Sequence, residues 1–331
     1  EAPPFTKAQI AQIARMALGE KINHIDYARR AIASFGPHNL IHHQGGSFWA
    51  WTGSGVWVEQ PEYLIRKAIH RVMPEDELTA SKVDGVFKLM KAEAFADVPL
   101  GQPFPGINTP AGELHFEDGA WALKEHVKGR WLITQIPVAY DEAATAPRFA
   151  VFLDEIFRGD GDKEHKKQLL LEMIGYTLLS TARFEAFIIL IGAGGNGKSV
   201  LLYVLECLCG KQNVSAVQPE NLGSTFQRAY LHGKLANVVT EVAEGAVVND
   251  AALKAITSGD MMTAERKFRD PFSFEPFATC WIGTNHMPHT RDFSDALFRR
   301  AKILTFNRKF EGDDRDPLLK QKLVEELPGI L

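Results

Sequence analysis

The run Phe187-Ile-Ile-Leu-Ile191, followed by Gly192-Ala-Gly-Gly-Asn-Gly197-Lys198-Ser199-Val200, constrains this chain more than any other stretch. Its apolar, isoleucine-rich residues are too few for a helix and have the composition of a strand buried on both faces, as in a parallel sheet. The residues from Gly192 to Ser199 match G-x-x-x-x-G-K-[S/T] in full. An apolar run then reads as a helix from Ser199 to Cys209, ending at Gly210. Strand, glycine turn and helix in this order make an anion cradle. Glycines let successive backbone N–H groups point into one concavity, and the helix N-terminus adds the positive end of its dipole. In such a cradle Gly192, Gly194, Gly195, Asn196, Gly197 and Val200 build the wall. Lys198 reaches the β- and γ-phosphates, and the Ser199 hydroxyl ligates Mg²⁺. The pattern arises by chance in about one chain in a hundred of this length, before a strand and a helix are also demanded. The expectation is a nucleoside-triphosphate site that takes ATP and Mg²⁺.

At 331 residues the chain is long enough for two domains with separate cores. Its net charge of −4 gives no global attraction to nucleic acid, so any such contact must come from a local basic surface. Three cysteines, Cys207, Cys209 and Cys280, imply a reducing compartment and no disulfide framework. Cys207 and Cys209 lie two apart on one helix and point in different directions, which favours packing over metal. The eleven histidines show no ligand spacing, so no metal is expected beyond the Mg²⁺ that accompanies the nucleotide. No run approaches the ~20 apolar residues that span a bilayer, and the N-terminus lacks a signal-peptide pattern. A start at Glu1 rather than Met, and an end at Leu331 without a polar tail, read as a piece of a longer protein, truncated at its C-terminus.

In chain order, Lys7–Leu18 reads as an amphipathic helix and Tyr27–Phe35 as a second, stopped at Gly36-Pro37. Strands are expected at Leu40–Gln44, Phe48–Trp51 and Val56–Glu59, with a tight turn at Thr52–Gly55. The tryptophans here alternate with small or polar residues, which favours a packed hairpin core over a base-stacking platform. Helices follow at Tyr63–Met73 and Lys82–Ala96. A hairpin is expected at Leu114–Leu123 and a strand at Trp131–Ile136. Helices at Phe149–Phe157 and Lys163–Leu179 flank the charged hinge Arg158-Gly-Asp-Gly-Asp162, which is taken as the domain boundary. The expected architecture is therefore an α+β domain over residues 1–160. A P-loop α/β domain with a parallel central sheet fills 161–331. In the second domain, further strands are expected at Val214–Val217, Leu235–Thr240, Ala278–Ile282 and Ile303–Phe306. Helices are expected at Gly223–Leu231, Asp250–Thr257 and Ser294–Arg299, with a hairpin at Met262–Phe274.

ATP hydrolysis needs more than a cradle: an acid near the metal, a polar group that orients water, and positive charge on the transferring phosphoryl group. Glu241 is expected to close the second strand and Asn285 the third, at the sheet edge where open α/β folds place their ligands. Glu241 has the chemistry to hold Mg²⁺ or activate water, and Asn285 to orient that water. Arg299-Arg300 supplies candidate arginine fingers. Taken singly, each has a plain alternative: a solvated acid, a turn asparagine, a surface arginine pair. Arg266, Lys267 and Arg269 cluster at the expected hairpin tip with Phe268 between them, a set suited to phosphate contacts and a base face. From Ala264 to Phe310 there are nine Lys/Arg against five Asp/Glu. The rival for this tip is a solvated loop with a buried phenylalanine.

Taken together, Gly-Ala-Gly-Gly-Asn-Gly-Lys-Ser199, Leu235–Glu241, Leu253–Arg266, Thr284-Asn285-His-Met-Pro288 and Phe298-Arg299-Arg300 resemble the helicase domain of superfamily 3, a class of AAA+-like ring motors. The nearest likeness is to the primase-helicases of phages, plasmids and poxviruses. The Trp-rich hairpin, Pro147-Arg-Phe149 and Glu172-Met-Ile-Gly-Tyr176 resemble the domain that precedes this motor. The resemblance implies an ATP-dependent DNA helicase or translocase that acts in replication of a mobile element, assembles as a homo-hexameric ring and works on single-stranded or forked DNA. A cytoplasmic location and a primase domain upstream in the parent chain are also implied. Lys198 and Ser199 become nucleotide residues, Glu241 the acid of the second motif, Asn285 a sensor, and Arg299 or Arg300 a finger reaching a neighbour's ATP. Met262–Phe274 becomes a channel hairpin. One departure is that many members carry two adjacent acids, whereas here Val242-Ala243 separates Glu241 from Glu244. Which acid serves metal and which serves water stays open. The rival readings are a P-loop phosphotransferase for a small molecule and an AAA+ initiator or loader that binds DNA without unwinding it.

Overall fold

The computed structural model describes residues 22–44, 46–289 and 295–331. The amphipathic segment Lys7–Leu18 lies outside the described residues. Two compact units emerge, one comprising the chain to Thr52 with Val58–Val98, the other Gly53–Trp57 with Pro99–Leu331.

The first unit is α+β. Helix α1 (His24–Ala33) starts at a capping box in which the Asn23 side chain accepts from the N–H groups of Ile25 and Asp26, and Asp26 answers to the Asn23 N–H. Strands β1 (Leu40–His42), β2 (Phe48–Trp51) and β3 (Trp57–Gln60) form one sheet in that order, with Ile41 opposite Trp49. Helices α2 (Glu62–Val72) and α3 (Ala80–Glu93) follow. Ile65, Ala68 and Ile69 on α2, with Val83, Val86, Phe87 and Met90 on α3, recur at helical spacing and close over Tyr27, Leu40 and Phe48. Trp49 is buried in this unit, as a packed core requires.

The second unit begins with the antiparallel sheet β4 (Ile107–Thr109), β5 (Gly112–Glu117) and β6 (Ala120–Lys124). Trp57 is fully buried against Trp131, ring centroids 4.8 Å apart, and donates its Nε1–H to the Lys128 carbonyl at 3.1 Å. Residues Trp131–Ile136 do not form the expected strand. Their side chains do alternate, with Leu132, Thr134 and Ile136 buried. The backbone partners, however, are scattered: Trp57 N–H on the Leu132 carbonyl, the Asn108 amide on Thr134, and Ile136 N–H on the Asn108 carbonyl. Alternation reported burial correctly, but no neighbouring strand completes a ladder.

Helices α4 (Pro147–Ile156) and α5 (Lys163–Leu178) lead to β7 (Phe187–Ile191) and α6 (Lys198–Cys209). Then come β8 (Val214–Ser215), α7 (Thr225–Arg228), β9 (Ala236–Val239) and α8 (Asp250–Ser258). The hairpin β10 (Met262–Ala264) and β11 (Phe272–Phe274) precedes β12 (Thr279–Thr284), α9 (Asp295–Phe298), β13 (Ala301–Thr305), α10 (Leu319–Glu325) and α11 (Leu327–Ile330). Five of these strands form a wholly parallel sheet in the order β13-β7-β12-β9-β8. The phosphate-loop strand β7 lies inside it, between β12 and β13, where the winding direction reverses.

Alternate residues of β7 feed two cores. Ile188 and Leu190 join Trp281, Val238 and the apolar faces of α4, α5 and α6. Phe187 and Ile189 join Cys280, Ile282 and α8 on the other face. Burial pushes the Cys280 thiol up to about 12, as expected of a packing cysteine. Trp281 is fully enclosed and donates to the Thr177 hydroxyl at 2.9 Å.

The contacts around residue 160 run across the boundary expected there. Phe149, Phe152, Leu153 and Ile156 of α4 share one core with β7, so segment 99–160 belongs with the parallel sheet. The charged hinge is pinned rather than free, because Lys166 bonds Asp160 at 2.7 Å and the Thr305 hydroxyl at 2.9 Å.

One buried polar side chain holds the sheet's far edge. Asn237 on β9 accepts from the Ser215 hydroxyl (3.0 Å) and the Val217 N–H (2.8 Å), and donates to the Val217 carbonyl at 2.9 Å. Asn237→Ala removes these bonds and leaves the buried Val217 N–H and carbonyl, just past β8, without these partners. It is expected to destabilise the protein by about 2–3 kcal/mol, read as a lowered midpoint in urea at unchanged slope.

Candidate functional site

The phosphate loop spans Gly192–Gly197 between β7 and α6, at the C-terminal edge of the parallel sheet. Gly197 caps α6 with φ +92°, a left-handed value that disfavours side chains, and a Cβ there would lie 2.7 Å from Ile156. Gly192 is required by proximity: a Cβ would stand 2.5 Å from the Phe306 carbonyl and 2.2 Å from the Asn196 amide. The Asn196 side chain is itself buried, donating to the Phe306 carbonyl at 3.3 Å.

Lys198 occupies the first turn of α6 and is 94% buried, being 6% exposed. Its ammonium donates to the Gly192 carbonyl and, at 3.2 Å, to the Asn196 Oδ1. Burial holds it below the ordinary lysine value, while the Glu241 carboxylate pulls the other way. A desolvated cation held only by loop acceptors and a distant carboxylate is poised to exchange them for a polyanion. Ser199 follows in the first turn of α6 and is exposed.

Glu241 does not end β9, which stops at Val239. Val239 pairs with Ile282, so Glu241 lies level with Thr284, which in turn pairs with Ile191 at the start of the loop. Glu241 is exposed, whereas Val242 beside it is buried and fixes the turn. Glu244 is exposed one turn further on, and among the described electrostatic contacts of Lys198 only Glu241 appears. Asn285 directly follows β12 and is exposed at the same edge; the neighbouring Thr284 carbonyl accepts the Gly192 N–H at 3.2 Å. The fold thus brings Lys198, Ser199, Glu241 and Asn285 to one edge. All are oxygen or cation chemistry suited to a hard divalent ion and a phosphate chain.

The arginine pair goes elsewhere. Arg299 and Arg300 precede β13, whose Ala301 pairs with Phe187, so they stand at the opposite edge, about 13 Å of strand from the loop. Arg300 is buried, with an ion pair to Glu185 at 2.6 Å and a bond to the Ser258 hydroxyl at 3.0 Å. Arg299 is exposed. Residues 290–294 just before them lie outside the described residues.

The expected hairpin is present, with Thr263 opposite Ser273. Phe268 at its tip is fully exposed with φ +62°, which removes the reading of a buried phenylalanine. Lys267 and Arg269 are exposed beside it, whereas Arg266 folds back over the Phe272 ring at 5.3 Å. Sequence reasoning missed one part of the site, the segment Phe306–Arg315 after β13, which lies against the loop; its only linear signal is Arg308-Lys309 and Arg315 among acids.

Known proteins share this plan. Residues 28–158 match the family described as D5 N terminal like, and residues 190–300 match a family of unknown function, DUF5906. "Putative helicase L207/L206" of Acanthamoeba polyphaga mimivirus is 25% identical over 151 residues, covering 44% of this chain and 16% of its own length. "Putative helicase 121R" of Invertebrate iridescent virus 3 is 22% identical over 263 residues, 73% of this chain and 27% of that protein. The apo structure of the NrS-1 C terminal region superposes on 94% of this chain and 68% of its own, with TM-score 0.59 and 14% identity. Together these matches make the chain similar to the primase-helicases of phages and viruses. The chain spans about a sixth to a quarter of the length of the curated relatives it matches. The family matches flank the α5 region on both sides and include the phosphate loop, β9, the hairpin and Asn285. Among the described residues, no helix is long and apolar enough to cross a membrane.

Proposed function

We propose that this chain is the ATP-driven motor of a DNA helicase of superfamily 3 type, assembling as a homo-hexameric ring on single-stranded or forked DNA during replication of a mobile element. The observation that carries the reading is Lys198. It is a buried ammonium in a complete phosphate loop, under the influence of Glu241 and beside Asn285 at the open edge of a parallel sheet. Gly192–Gly197 and Val200 wrap the phosphates and Lys198 binds the terminal ones. Ser199 and Glu241 hold Mg²⁺, which offsets the charge of the β- and γ-phosphates. Glu244 or Glu241 activates the attacking water and Asn285 orients it. Arg299 completes a neighbour's site, a role consistent with its place at the edge away from its own loop; Arg300 braces it through Glu185.

The hairpin tip supplies the DNA contact: Lys267 and Arg269 meet phosphates and Phe268 offers a base face. Strand displacement on a forked duplex, with ATPase stimulated by single-stranded DNA, is the deciding experiment. ATPase without displacement would point to an initiator or loader, and ATPase indifferent to DNA to a small-molecule phosphotransferase. Lys267→Ala with Arg269→Ala is expected to reduce the slope of log affinity against log salt by about 0.7 per lost phosphate contact. Phe268→Ala should cost about 1–3 kcal/mol of single-strand binding. An unchanged salt slope removes the hairpin from the interface.

A further inference from the structure

The segment after β13 is fastened onto the phosphate loop. Phe306 donates its N–H to the Ile191 carbonyl at 2.7 Å, and Phe310 donates to the Gly195 carbonyl at 2.8 Å. Two arginines lie on this segment, and they differ in what holds them. Arg308 is fully engaged: Nη1 donates to the Glu155 carbonyl and Nη2 pairs with Asp314, each at 3.0 Å, with its guanidinium 4.3 Å above the Phe310 ring. Arg315 is exposed and, among the described residues, tied only through Nε, which donates to the Phe310 carbonyl at 3.0 Å. Its Nη2 lies 3.4 Å from the point where a Cβ on Gly195 would stand.

The carboxylates flanking Arg315 in sequence are already taken. Asp314 pairs with Arg308, and Asp316 pairs with Lys322 at 2.7 Å. None of the ion pairs among the described residues includes Arg315. A guanidinium anchored through Nε presents both Nη groups outward in the planar fork that suits phosphate oxygens. Here that fork is carried beside the backbone of the phosphate loop, on a strap hydrogen-bonded to the loop itself.

We propose that Arg315 binds the phosphate chain of the nucleoside triphosphate held in its own loop, as a second cation of the site beside Lys198. The inference rests on the nucleotide reading of that loop. It assigns Arg315 to the chain that holds the nucleotide, whereas Arg299 serves the neighbour. The two arginines therefore separate by assay: Arg315 governs affinity, Arg299 turnover.

The test is calorimetric titration of the wild-type chain, Arg315→Ala, Arg315→Lys and Lys198→Ala with ATP, ADP and AMP in Mg²⁺. Arg315→Ala should weaken ATP about tenfold, ADP less, and AMP not at all, the expected scale for one charge-assisted phosphate contact. Arg315→Lys, which keeps the charge but not the fork or its Nε anchor, should fall between. Melting temperatures measured alongside show whether each variant is folded. Wild-type ATP and ADP affinities in a folded Arg315→Ala would overturn the inference while leaving the nucleotide site standing. Equal losses for ATP and AMP would reduce Arg315 to a prop of the loop. A wild-type chain that binds no nucleotide would overturn this inference and the nucleotide reading beneath it.

Discussion

Lys198→Ala is expected to lower ATP turnover by about 10²–10³-fold or more, the scale of removing one preorganised group from a phosphoryl-transfer site. The size follows from where the ammonium sits. It is desolvated and held by the Gly192 carbonyl and Asn196 Oδ1, so its charge acts on an entering phosphate through little water. Alanine leaves the loop's backbone amides in place but takes away the cation that answers the γ-phosphate. The fold should survive, because alanine suits the first turn of a helix and no ion pair among the described residues is broken. Phosphate release under saturating single-stranded DNA, with melting temperature as the control, reads the effect. Undiminished hydrolysis in a folded Lys198→Ala chain would falsify the nucleotide assignment.

Arg299→Ala should depress hydrolysis by about 10³–10⁵-fold while leaving ATP affinity near the wild-type value. Arg299 is exposed, and it stands at the sheet edge opposite the loop that carries Lys198, so its own chain gives it no route to that chain's phosphates. Its effect must then be delivered to another copy. Mixing supplies the check: rings made from Arg299→Ala and Lys198→Ala chains contain some interfaces with an intact loop facing an intact finger, and these should recover ATPase that neither variant shows alone. No recovery at any mixing ratio would place Arg299 outside catalysis. Arg300→Ala should behave differently, because losing the Glu185 and Ser258 contacts of a buried arginine removes support between α8 and β13. Its main readout is a lower melting temperature.

Much of the second unit was legible because local rules and tertiary demands agree there. An isoleucine-rich run, a glycine turn and an apolar helix describe β7, the loop and α6 to within a residue. The hairpin was legible for the same reason, since Met262–Ala264 and Phe272–Phe274 alternate around a charged tip. Trp131–Ile136 marks the limit of pattern reading. Alternation records which side chains are buried, but a strand also needs a partner in register, and that partner comes from residues far away in sequence. The charged Arg158–Asp162 turn reads as a hinge in the sequence, and in the fold Lys166 ties its Asp160 to the Thr305 hydroxyl.

The sequence by itself determined the phosphate loop, the order of the strands that follow it and the identity of each candidate residue, because these depend on residue type and spacing. Only the tertiary structure decided which of those residues meet. Parallel register brings Glu241 and Asn285 to the edge that bears Lys198 and carries Arg299 and Arg300 to the other. Burial separates Arg300 from Arg299, and Arg266 from Lys267 and Arg269. Arg315 shows the difference most plainly. Nothing in its neighbours in sequence marks it, since Asp314 and Asp316 read as its partners, and only the folded chain gives those carboxylates to Arg308 and Lys322 and leaves the guanidinium at the loop.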